Sequence, residues 1–151
     1  VNFNFNINEV YPGSKARIYT IRYKNEDKSE FRKFLEDFSG NPEIDQITHR
    51  LQNITERYGL RDDWFRQESR NPKIGRILLD SGLLRLFCIR WENDIIILGY
   101  GGEKDPKKPK LIDNPDLMTI VNKLETVYDQ ISYYIKRNGL TIREFLELEG
   151  K

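Results

Sequence analysis

One cysteine, one histidine and one methionine stand in a chain of 151 residues. With Cys88 alone, an internal disulfide and a cysteine-rich metal site are both excluded. Cys88 falls in an apolar run and reads as a small core residue. With His49 alone, a histidine-based metal site would need carboxylates to complete it, and His49 lies off the apolar stripe of its helix. No metal or other cofactor is expected. No apolar stretch approaches the roughly 20 residues of a membrane span, and no signal peptide is visible. A cytoplasmic protein without a membrane partner is expected. The net charge of +1 gives no global basic field, so any nucleic-acid binding must come from local clusters of Lys and Arg. Internal repeats and low-complexity linkers are missing too.

Charged residues make up 32% and aromatics 12%, which fits a folded globular chain and argues against disorder. The length suits one domain, residues 1–151, with a real core. VNFNFNINEV alternates strictly: Phe3, Phe5 and Ile7 share one face, and Asn2, Asn4, Asn6 and Asn8 the other. That is a half-buried strand. After a Pro12-Gly13-Ser14 turn, Arg17 to Lys24 reads as a second strand. Asp27 and Glu30 form a capping-box start for a helix with the stripe Phe31, Phe34, Leu35 and Phe38. Asn41 and Pro42 open a second helix, striped by Ile44, Ile47, Leu51, Ile54 and Tyr58 and ended by Gly59. Leu60 to Gly75 reads as polar and irregular. Asn114 and Pro115 start a long amphipathic helix whose seam is Leu117, Val121, Leu124, Tyr128, Ile131 and Ile135. That seam can pack on the sheet or support a dimer. Thr141 and Glu144 offer a capping box for a short final helix.

The chain is organised around Gly82 to Lys110, GLLRLFCIRWENDIIILGYGGEKDPKKPK. Two apolar strands, Leu83–Trp91 and Ile95–Tyr100, flank the turn Glu92-Asn93-Asp94. On the first, Arg85, Phe87, Ile89 and Trp91 share one face, and Leu84, Leu86, Cys88 and Arg90 the other. Both faces are mostly apolar, as in a central strand covered on both sides. Arg85 is costly there unless its face meets water or an anion. Gly99 to Lys110 reads as a loop rich in Gly and Lys.

The order strand, helical hairpin, polar segment and antiparallel meander, with SEFRKFLEDF and then GRILLDSGLLRLFCIRWENDIIILGYGGEKDPKKPK, resembles the RelE/ParE superfamily of type II toxins, in its HigB-like or phage-derived branch. The likeness covers roughly Arg17 to Lys110. It implies an α+β fold with an antiparallel β-sheet, an N-terminal helical hairpin packed on one face and a long C-terminal helix. The core would be about 17–110, with a C-terminal helical extension of about 114–148. It also implies a ribosome-dependent, metal-independent mRNA endoribonuclease, with the ribosome, mRNA and a cognate antitoxin protein as partners.

Arg85 matches the strand arginine of that family, and its guanidinium suits a phosphate in which charge develops. A salt bridge within the sheet is the alternative. Tyr100 would supply a phenol near the scissile bond, or else packing. Lys104 would act beside them. Arg66, Arg70, Lys73, Arg76, Lys107, Lys108 and Lys110 would hold RNA or ribosomal backbone, or simply solvate loops. The chain departs from the family at Gly99, where many relatives carry a histidine, and at Glu103, where they carry a lysine. No general base stands out. A non-catalytic or gyrase-directed relative that works by protein binding is the other reading.

Overall fold

The computed structural model describes residues 3–149. Asn2, assigned above to the first strand, lies outside the described residues. Six strands form one sheet: β1 Phe5–Tyr11, β2 Arg17–Tyr23, β3 Phe65–Gln67, β4 Ile74–Ile77, β5 Leu84–Glu92 and β6 Ile95–Glu103. The helices are α1 Glu30–Asp37, α2 Glu43–Asn53, α3 Pro115–Arg137 and α4 Ile142–Glu149. This is an α+β architecture.

The spatial order is β1-β2-β6-β5-β4-β3. The expected all-antiparallel sheet is corrected to a mixed one. The pair β2–β6 is parallel, Arg17 opposite Ile95 through Thr20 opposite Leu98. The cause is topological. The chain leaves β2 through α1 and α2, lays down β3, β4 and β5 in antiparallel turns, and returns as β6 in the direction of β2.

Helices cover both faces of the sheet. Phe31, Phe34, Ile47 and Leu51 of α1 and α2 pack on Ile18, Leu86, Cys88, Ile96 and Leu98. Leu117, Val121, Leu124, Val127, Ile131 and Ile135 of α3, with Phe145 of α4, pack on Phe5, Tyr19, Phe87, Ile89 and Ile97. The seam of α3 is therefore spent on the sheet, with Val127 buried in it and Tyr128 half-buried beside it against Trp91. The central strands alternate between two apolar covers, which explains their nearly continuous apolar sequence.

Local signals fix several boundaries. Thr141 and Glu144 form a complete capping box. Glu144 Oε1 accepts from the Thr141 N–H at 3.0 Å, and Thr141 Oγ1 accepts from the Glu144 N–H at 3.1 Å. The helix runs on past α2 as a π-helical turn, Ile54–Tyr58, and Gly59 closes it at φ +70°, a positive φ that glycine adopts without strain.

Other expectations are corrected. The cap of α1 is Ser29, whose Oγ accepts from the Arg32 N–H at 3.1 Å, rather than Asp27, which lies in the bend before it. The segment 60–75 is not wholly irregular: it contains β3 and begins β4. The expected loop from Gly99 is strand as far as Glu103, because Gly101 and Gly102 pair with Leu86 and Arg85. The Asn114 side chain does not cap α3. It accepts from the Asp105 N–H (3.0 Å) and donates to the carbonyls of Lys108 (3.0 Å) and Lys110 (2.8 Å). This buried amide shapes the lysine loop instead.

Candidate phosphate-binding cleft

Four of the ten candidate residues come from strand positions, and the sheet decides which of them meet. Arg66 stands opposite Arg76 in the β3–β4 ladder, and Arg76 stands opposite Phe87 in β4–β5. Arg85, two residues before Phe87, shares its face, since side chains on a strand repeat every second residue. The loop after β6 brings Lys104 and Lys110 over the same end of the sheet. The result is a cleft of about 390 Å³ lined by Arg66, Glu68, Arg76, Arg85, Lys104 and Lys110, with Leu117 of α3 as its apolar wall.

Glu68 is the one carboxylate in this lining. Its Oε1 lies 3.1 Å from Arg66 Nε and 3.5 Å from Arg76 Nε, and its side chain is only 10% exposed. The sequence reading missed it. A lone Glu in a polar segment carries no signal until β3 pairs with β4.

Arg76 is 13% exposed. Burial, and then the charge of Arg85, push its guanidinium down to about 10. Burial also lowers Arg85, while Glu68 and Glu43 pull the other way. Both remain cations near neutral pH. Partly desolvated positive charges that crowd one another favour an anion that can sit between them. Arg85 Nη1 donates to the carbonyl of Gly82 at 2.9 Å, with a longer bond of 3.3 Å to that of Leu84. These bonds fix the plane of the guanidinium, and the salt bridge expected as its alternative role is absent from the described ion pairs.

The other candidates lie elsewhere. Tyr100 is on the opposite face of the sheet from Arg85, edge-on to Phe34 with centroids 6.4 Å apart. It donates to Asp37 Oδ2 at 2.5 Å. Burial and that bond push its phenol up to about 12, so it is a poor base. Lys73 Nζ donates to the carbonyl of Trp91 at 2.8 Å, at the far end of β5 from Arg85. Arg70 is exposed on the flank of the cleft, near Gln67 and Glu68. Lys108 lines a neighbouring depression with Lys104, and Lys107 is exposed in the same loop. His49 is exposed. The described residues contain no group of three His, Cys, Asp or Glu side chains placed to hold a metal ion. They also contain no helix long and apolar enough to cross a membrane.

Chemically, the cleft can bind a phosphodiester between its arginines. It can also offer a carboxylate as proton acceptor and an ammonium as proton donor. No family model, no curated protein and no solved structure matches this chain.

Proposed function

We propose that this chain is a ribosome-dependent mRNA endoribonuclease of the RelE/ParE toxin type, working in the cytoplasm and held in check by a cognate antitoxin. The observation that carries the reading is the convergence of Arg66, Arg76, Arg85, Lys104 and Lys110 on one cleft around a single carboxylate, Glu68. The element order from β2 through α1 and α2 to the β4–β6 meander supports it.

The chemistry follows from the groups present. Glu68 takes the proton of a ribose 2′-hydroxyl. The 2′-oxygen bonds to phosphorus, and Arg76 and Arg85 hold the non-bridging oxygens as negative charge grows. The bond from phosphorus to the 5′-oxygen breaks, and Lys104 protonates the leaving oxygen. The products are a 2′,3′-cyclic phosphate and a 5′-hydroxyl. Both protons exchange with water to reset the site. Tyr100 has no part in this scheme.

One observation favours a second reading, a non-catalytic or gyrase-directed protein binder on the same fold. Glu68 is already paired to two arginines, as in a purely structural ion network. Incubating the protein with translating ribosomes and mapping mRNA ends separates the two. Cleavage with cyclic-phosphate ends is expected, and Arg85→Ala should lower it at least about a hundredfold while the fold is kept. Folded wild-type protein that leaves translated mRNA intact, or cleavage unaffected by Arg85→Ala, overturns the nuclease reading. A supercoiling assay with gyrase then tests the second.

A further inference from the structure

Five cations line the arginine cleft against one carboxylate, Glu68. Of the five, only Arg66 and Arg76 are ion-paired among the described residues, both to Glu68. A phosphodiester brings a single negative charge, so one RNA phosphate leaves most of the positive charge unanswered.

The cations stand at two depths. Arg76 is nearly buried, and Arg85 is half-buried with its guanidinium held by the carbonyls of Gly82 and Leu84. Lys104 is half-buried, while Arg66 and Lys110 are exposed at the rim. A phosphate gripped by the two inner arginines therefore has a second layer of cations above it.

The ground on either side has the opposite sign. The depression that shares Lys104 and Leu117 with the cleft sets Glu103, Asp105, Asp113 and Asp116 against Lys104 and Lys108. The one that shares Gln67 and Glu68 with it sets Glu68 and Glu125 against Arg70. A strand drawn through the cleft turns its neighbouring phosphates towards these carboxylates, where like charges repel. A compact anion that keeps all of its charge inside the cleft escapes that repulsion.

From this charge pattern we propose that the arginine cleft takes a diphosphate group, inorganic or the tail of a nucleotide, and that a diphosphate held there excludes RNA. Two joined phosphates carry about three negative charges near neutral pH. One meets Arg76 and Arg85, and the other meets Lys104, Lys110 and Arg66. The cleft, at about 390 Å³, lies in the size range of small-ligand sites. Binding of the diphosphate stands on the charges alone, and inhibition of cleavage by it rests on the endoribonuclease reading. Under that reading the acidic flanks weaken the hold on a free strand, which suits an enzyme whose substrate is presented by the ribosome.

The test is calorimetric titration of the whole chain at fixed salt, without divalent cations or ribosomes. The probes are pyrophosphate, orthophosphate, ADP and a 2′-deoxy tetranucleotide without terminal phosphate, whose charge is close to that of pyrophosphate. Pyrophosphate should bind at least about tenfold more tightly than orthophosphate or the tetranucleotide. It should also displace a fluorescent form of the tetranucleotide. ADP bound as tightly as pyrophosphate, or more so, assigns the site to a nucleotide, and weaker ADP binding assigns it to the inorganic ion. Lys110→Ala, at an exposed position, should weaken pyrophosphate about fivefold. Asp113→Asn combined with Glu125→Gln should help the tetranucleotide more than pyrophosphate and narrow the gap between them. Pyrophosphate that does not bind, that binds no better than the tetranucleotide, or that is indifferent to Lys110→Ala overturns the proposal. Pyrophosphate bound by a protein that cuts no mRNA sustains the diphosphate site and sinks the nuclease reading. Cleavage by a protein that binds neither pyrophosphate nor ADP does the reverse.

Discussion

Glu68→Gln is expected to move stability, RNA affinity and cleavage in different ways, which makes it the most informative single change. The glutamine keeps the shape of the side chain and removes its charge. The bridge to Arg66 contributes little, because Arg66 is 65% exposed and exposed pairs are worth at most about 1 kcal/mol. The bridge to Arg76 matters more, since both side chains are nearly buried. Breaking a fully buried pair costs about 3–5 kcal/mol. The cleft is open to water on one side, so about 2 kcal/mol is expected here. That leaves a domain of ordinary stability folded, and urea denaturation should show it as a lower midpoint at unchanged slope. Affinity should rise instead. Removing one negative charge near a bound phosphate is worth about 1 kcal/mol after solvent screening, or roughly fivefold. Fluorescence anisotropy with a 2′-deoxy oligonucleotide, which cannot be cut, reads this directly. Cleavage should fall by about 10²–10⁴-fold, as for loss of a general base. Weaker oligonucleotide binding together with an unchanged midpoint would refute the picture of a carboxylate enclosed by cations. Unchanged cleavage would remove Glu68 from the chemistry.

Three further outcomes follow from other contacts. Asn114→Ala removes three hydrogen bonds from a buried amide. It should cost about 2 kcal/mol, speed amide exchange across residues 105–110 and weaken oligonucleotide binding by loosening Lys104 and Lys110. Thr20→Val should cost about 1–3 kcal/mol in thermal or urea unfolding, because Thr20 Oγ1 donates to the carbonyl of Leu98 at 3.0 Å and accepts from the Phe31 N–H at 3.2 Å, both buried. Tyr23 and Tyr100 are each raised from 10.0 to about 12, first by burial and then by Glu30 and by the bond to Asp37 respectively. The phenols stay protonated in both folded and unfolded chains below the unfolded value. Their contribution is therefore whole there and is lost as pH rises through the folded value near 12. Alkaline unfolding curves of Tyr23→Phe and Tyr100→Phe should be flatter over that window.

Much of the frame was legible because its signals are local. The two-residue period of β5 sorted Phe87, Ile89 and Trp91 from Leu84, Leu86 and Cys88, and the two cores divide the same way. Gly59 and the Thr141–Glu144 box marked helix ends that the backbone confirms. The losses are non-local. Phe65-Arg66-Gln67 is too short to show a period, and it becomes a strand only by pairing with β4. The glycines of β6 look like a loop, yet the ladder to β5 and the cover of Phe34 and Leu117 hold them extended. Tyr100 illustrates the limit for the site. Alternation from Leu98 gives its face along β6. Relating that face to the one bearing Arg85 requires the register between the strands, which shifts between Leu86 and Cys88. Arg85, Arg66, Arg76, Lys104 and Lys110 were all named from sequence. Their assembly around Glu68 needed the third dimension.

The β2–β6 seam has a kinetic consequence. Four residue pairs join residues 17–20 to residues 95–98, and the buried bond of Thr20 to Leu98 spans 78 positions. Contacts of such separation are paid for in loop-closure entropy before they return anything, so they slow folding. During synthesis the β1–β2 hairpin and α1 must wait, with the apolar faces of Ile18, Ile21 and Phe34 unsatisfied, until β6 has left the ribosome. Refolding should therefore be limited by closure of this seam. Conservative changes at Ile18 or Ile96 should slow folding more than they speed unfolding if the seam forms in the transition state.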